Sequence, residues 1–79
     1  MKEKIIPLHL LPTGSSGRVK ELRSLDGMRR RLLDLGFING TVVESLRRSP
    51  FGDPTAYQIR GAVIALRSEE ASRILVERV

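Results

Sequence analysis

Apolar positions come in short bursts along the chain, and their spacing changes from burst to burst. Tyr57 and Ile59 alternate with Gln58 and Arg60, the two-residue period of a half-buried strand over Thr55 to Arg60, and Gly61 marks a tight reversal. Ala62-Val63-Ile64-Ala65-Leu66 is apolar throughout, which predicts a strand covered on both faces, with Ala65 leaving room for a packed element. Met28, Leu32 and Leu35 recur at i, i+4 and i+7 and predict a short amphipathic helix from Asp26 to Leu35, the expected cover. Asp26 is placed to cap that helix, Gly36 falls at the left-handed exit position, and Leu33 and Phe37 broaden its apolar face.

Thr41 to Arg48 has strand character, but Val42, Glu44 and Leu46 alternate with Val43, Ser45 and Arg47, so both faces are mixed and the inward one stays open. Asn39-Gly40 bends the chain into it. Upstream, Ile5 to Leu8 predicts a first strand closed by Pro12, and residues 13–17 a flexible loop. Arg18 to Arg23 is a second strand, where the odd spacing of Val19 and Leu22 calls for a bulge or a sharp bend. Ser68 is placed to cap a final helical turn carrying Glu69 and Glu70 at its positive end, and Ile74 to Val79 closes the domain as a strand. Five or six short strands with two short helices predict a mainly β fold, a small curled sheet closing toward a barrel, as a single domain over residues 1–79.

One hairpin stands out. Pro50-Phe51-Gly52-Asp53-Pro54 separates two strand-like segments and is composed of turn formers apart from Phe51. Phe51 is one of three aromatic residues in the chain, and a ring at a hairpin tip either folds back on the core or faces a partner. Arg47 and Arg48 enter the tip on opposite sides of a regular strand.

Composition narrows the chemistry. With no cysteine among 79 residues there is neither a disulfide framework nor a thiolate metal site, and a cytoplasmic setting is the default. The basic, then apolar N-terminus faintly resembles a signal peptide, but Pro7, His9 and Pro12 interrupt the run, and no stretch approaches the ~20 apolar residues of a membrane span. The net charge of +5 admits anionic partners, although the basic residues are dispersed. Arg29, Arg30 and Arg31 point about 100° apart on a helix and fan out into solvent. Gly14-Ser15-Ser16-Gly17 lacks the context of a phosphate loop or of a nucleic-acid-binding GxxG. His9 is the only histidine and has no paired nucleophile in view, and the carboxylates show no ligand-loop spacing. Nothing here reads as an enzyme, and no cofactor or metal site is apparent.

The run from Arg31 to Phe37, Asn39-Gly40-Thr41, Arg47 to Pro54, and Ala65-Leu66-Arg67 with Ala71 and Ile74 together resemble the FeoA family of small cytoplasmic accessory proteins of bacterial ferrous-iron transport. The resemblance runs from Leu10 onward and rests chiefly on the Leu-Gly helix exit and the tip. It implies an SH3-like barrel and a non-enzymatic adaptor working with the membrane iron permease and its cytoplasmic GTP-binding domain. It implies association with the membrane only through that partner, as a monomer or weak dimer, with no nucleic acid. It also carries family-level transition-metal (Fe2+) association, for which the sequence supplies no cage, and the same domain occurs in metal-dependent repressors. Asn39 departs from the proline often found there, and Ser45 from an apolar residue. The expected partner-binding residues are Arg47, Arg48, Phe51, Gly52 and Asp53. The alternative is a basic small barrel that binds nucleic acid or responds to metal.

Overall fold

A computed structural model describes residues 4–79, so residues 1–3, the start of the signal-like stretch, lie outside it. The elements in chain order are β1 (Ile5–Pro7), a 3-10 turn (Leu8–Leu10), β2 (Ser16–Leu22), α1 (Asp26–Asp34), β3 (Val42–Arg48), β4 (Thr55–Ile59), β5 (Ala62–Leu66), α2 (Ser68–Ala71) and β6 (Ile74–Arg78). The six strands form one antiparallel sheet in the order β1-β6-β2-β3-β4-β5. It curls around a core that includes Leu8, Val19, Leu32, Phe37, Tyr57, Ile59, Leu66 and Val76. Among the described residues β1 and β5 remain the two ends of the hydrogen-bonded order.

The register of β2 explains the odd spacing of its apolar residues. A bulge between Val19 and Glu21 shifts the pairing with β6, so Val19 and Leu22 both pack toward the core. The strand starts earlier than its residue types predict, because Ser16 and Gly17 already pair with β3. Residues 16 and 17 are therefore sheet and not flexible loop. Likewise β1 is one residue shorter than expected, since Leu8 turns into the 3-10 segment and is fully buried there.

In β3 the inward face is the one carrying Val43 and Ser45, and a second bulge between Ser45 and Arg47 was invisible in the mixed pattern. Ser45 is buried at 1% exposure, and its hydroxyl has no hydrogen-bond partner among the described residues. A buried, unmatched hydroxyl costs free energy that a methyl group does not. Ser45→Ala is expected to raise stability by about 1 kcal/mol, read as a higher urea midpoint at unchanged slope.

The helix α1 lacks the predicted cap. Asp26 sits at φ +55°, and no side-chain cap hydrogen bond forms at this end. The exit is as predicted: Gly36 adopts φ +109°, Phe37 N–H donates to Leu32 O at 3.0 Å and Gly36 N–H to Leu33 O at 3.0 Å. This is the paired closure that a left-handed glycine makes possible, and it drives Phe37 into the core beside Leu32. The arginines diverge as their spacing requires: Arg29 donates to the Leu22 carbonyl at the end of β2, and Arg31 pairs with Glu70 on α2.

The structure overturns the prediction for β5. The strand lies at the sheet end with Ala62, Val63 and Ala65 exposed and Leu66 buried, and α1 sends Leu32 into the shared core instead of covering it. An apolar run of small residues looks the same in sequence whether it is buried on both sides or lies at an edge, because exposing alanine costs little.

Candidate partner-docking site at the hairpin tip

The tip from Ser49 to Pro54 joins β3 to β4 and is held from within by one serine. Ser49 Oγ donates to the Asp53 carbonyl at 2.8 Å and accepts the Asp53 N–H at 3.1 Å. Its backbone N–H donates to Pro54 O at 3.0 Å, and its carbonyl accepts Gly52 N–H at 2.8 Å. Gly52 stands at φ +85°, a conformation glycine reaches without steric penalty, and the Asp53–Pro54 peptide is cis. These bonds tie both ends of the loop together and leave Phe51 outside, 95% exposed.

The loop is also fastened to the rest of the molecule. Asp53 Oδ1 accepts the Ser68 N–H at 2.7 Å and the Ser68 hydroxyl at 3.2 Å, so the carboxylate caps α2 from across the fold. Ser68, expected to be the cap, is instead the capped residue. At the same helix start the Arg67 N–H donates to Glu70 Oε1 at 3.1 Å, which gives Glu70 the structural role predicted for it. Glu70 in turn pairs with Arg31, so tip, α2 and α1 form one connected chain of polar contacts. Asp53→Ala is expected to cost about 1 kcal/mol and to increase amide exchange at Ser68, measured by hydrogen exchange.

The predicted site residues thus divide. Phe51 and Gly52 are presented together at the apex, and Arg47 is exposed on β3 opposite Ala56. Arg48 pairs with Thr55 and reaches the His9 carbonyl at 3.3 Å, so it braces the 3-10 turn. Asp53 is turned toward the start of α2, with its side chain still partly exposed. Ser49 carries no signal that singles it out, although a serine opening a turn is a recognised local hydrogen-bond former, and Ser68 is singled out by its sequence only as a cap, not as a partner of Asp53.

Beneath the tip, Tyr57 is buried in the core. Burial raises its phenol above the ordinary value of 10.0, against smaller lowering from the Thr55 side-chain hydrogen bond and from Arg48, while Asp53 adds to the rise. The folded state therefore holds that proton more tightly than the unfolded chain. This contribution is complete below pH 10.0 and is lost as pH climbs from there through the folded-state value, so stability is expected to fall in an alkaline denaturation series above pH 10.0.

Among the described residues no three His, Asp or Glu side chains converge to hold a metal ion. No helix among them is long and apolar enough to cross a membrane. What the tip offers is an exposed aromatic ring on a hydrogen-bonded loop, with Arg47 exposed on the strand that leads into it, the side-chain types that carry most binding energy in protein interfaces.

Residues 6–78 match the FeoA domain family. The chain is 30% identical over 69 residues to the Fe(2+) transport protein A/Fe(2+) transporter FeoB fusion protein of Porphyromonas gingivalis, a match spanning 87% of this chain and 8% of that protein. The solution structure of iron(II) transport protein A from Clostridium thermocellum superimposes with a TM-score of 0.90 at 34% identity, covering 94% of this chain and 46% of that one. Stenotrophomonas maltophilia FeoA complexed with zinc, described as a procaryotic SH3 domain protein, gives a TM-score of 0.80 at 35% identity over 89% of this chain and 87% of the other. The SH3-like fold that the family resemblance implies is thus the fold observed.

Proposed function

Starting from the chain's membership of the FeoA family, we propose that it is a non-catalytic accessory module of ferrous-iron uptake that docks on the cytoplasmic GTP-binding domain of an iron permease. The observation that carries this reading is the 95% exposed Phe51 on a tip whose own hydrogen bonds, and whose cap of α2, hold it in place. A large ring kept in water by a stapled loop has no folding role, and preorganisation lowers the entropic cost of docking it into a pocket. The Porphyromonas gingivalis relative supports the choice of partner, because there a matching segment and the transporter share one polypeptide. Arg47 and Gly52 complete the contact, while Arg48 and Asp53 hold the tip in place.

The test is a calorimetric titration of the chain into the purified GTP-binding domain of the ferrous-iron permease from the same organism. Saturable one-to-one binding is expected. Absence of binding in the apo, GDP-bound and GTP-analogue-bound forms alike would remove this function.

A further inference from the structure

We propose that the free edge of β5 is a second docking surface, which takes an extended segment of a partner protein with apolar residues in its middle and carboxylates at both ends. The backbone geometry fixes which groups are available. Arg60 (φ +51°) and Gly61 (φ +81°) form a two-residue turn with both residues left-handed, the type that places Ile59 and Ala62 in a hydrogen-bonded pair. Pairs alternate along an antiparallel ladder, so Ala62, Ile64 and Leu66 direct their N–H and C=O groups at β4. Val63 and Ala65 direct theirs away from it, to the side where the sheet order ends.

This edge lacks the devices that ordinarily protect one. The strand carries no charge, no proline and no bulge, and Val63 is 65% exposed. The other sheet end, β1, is three residues long and ends in Pro7. An open edge with alternating outward N–H and C=O groups is a template for strand addition, where main-chain bonds supply affinity and flanking side chains supply selectivity.

Charge selects the occupant. Arg60 precedes the strand and Arg67 follows it, and the Arg67 side chain is 71% exposed with Asp53 Oδ2 at 3.8 Å. Arg60 has no carboxylate within ion-pair distance among the described residues, and its stem lies over Gly36. A second copy of this chain is the wrong guest. The antiparallel register that uses all four outward residues pairs Val63 with Ala65 of the other copy, and it sets Arg67 beside Gly61, one residue from Arg60, at each end. Like charges so placed repel, whereas acidic flanks on a foreign segment meet both arginines. The surface adjoins the tip where Arg67 meets Asp53 but does not include Phe51, and the inference stands whether or not the permease is the partner.

The experiment uses the full chain and a capped peptide of sequence Val-Thr-Val-Thr-Val flanked by paired glutamates, with a lysine-flanked peptide as control. In the free protein the Val63 and Ala65 amides are expected to exchange with deuterium faster than those of Ala62 and Ile64, which bond to β4. The acidic peptide is expected to slow exchange at Val63 and Ala65 selectively, with affinity that falls as salt is raised. Val63→Pro removes an outward N–H that the internal ladder does not use, and it is expected to weaken binding roughly tenfold or more. Should that variant fail to fold, Arg60→Glu serves in its place and is expected to shift preference toward the lysine-flanked peptide. Unchanged exchange at Val63 and Ala65, equal binding of both peptides, or protection that appears with protein concentration alone would each overturn the proposal, the last by making a second copy the occupant.

Discussion

Phe51→Ala is expected to leave the melting temperature of the isolated domain unchanged and to weaken the proposed binding to the permease GTP-binding domain by roughly 30-fold, the loss that follows when a central aromatic anchor worth about 2 kcal/mol is truncated. The two halves of this result depend on each other. The ring is 95% exposed, so removing it deletes no core contact, and the loop beneath it is closed by bonds from Ser49 that do not involve the ring. A substitution here separates binding from folding in a way that Tyr57 or Phe37, both in the core, cannot. Calorimetry for affinity and a thermal melt for stability check both halves on the same preparation. A fall in melting temperature with affinity unchanged would make Phe51 a folding residue.

The second large effect is on stability and comes from a glycine that the sequence pattern places in a loop. Gly17 is buried between β3 and β6, opposite Val43 and Arg78, and a Cβ added to it would lie 2.8 Å from Val76 Cγ2 and 3.0 Å from Val76 Cβ. Both atoms belong to a β-branched side chain in the core, so the strain cannot be relieved by swinging aside a flexible surface chain. Gly17→Val is expected to destabilise the domain by about 2 kcal/mol, on the order of 10 °C in melting temperature for a domain of this size. Val76→Ala in the same chain removes the nearer of the two clashing atoms and is expected to restore part of the loss, as a double-mutant cycle would show. Additivity of the two substitutions would mean that Gly17 is there for a reason other than this approach.

Features set by neighbouring residues were legible in the sequence, and features set by distant ones were not. The exit of α1 could be foreseen because Leu32, Gly36 and Phe37 close it among themselves, and the β4–β5 hairpin because Gly61 and the Tyr57/Ile59 alternation are local signals. The irregularity in β2 was legible too, since the odd spacing of Val19 and Leu22 calls for a bulge or a sharp bend, and the register shift between Val19 and Glu21 is the bulge. Gly17 was missed because the atom that excludes its side chain belongs to a strand at the other end of the chain. The β5 prediction failed for a related reason: what covers a strand is decided by where the other elements pack, and α1 packs into the shared core. At the candidate site, Phe51 could be singled out from composition and turn chemistry alone. The role of Asp53 could not, because the helix it caps begins fifteen positions later and no short motif announces the pairing.

Whether the tip is where a partner docks is tested most directly by placing a photo-crosslinking phenylalanine analogue at position 51 and irradiating the chain with the permease GTP-binding domain, using the exposed Gln58 position on β4 as a control. The result expected is a covalent adduct from position 51 mapped to one segment of the GTP-binding domain, with little from position 58. Equal yields from both positions, or an adduct from position 58 alone, would contradict docking through the tip.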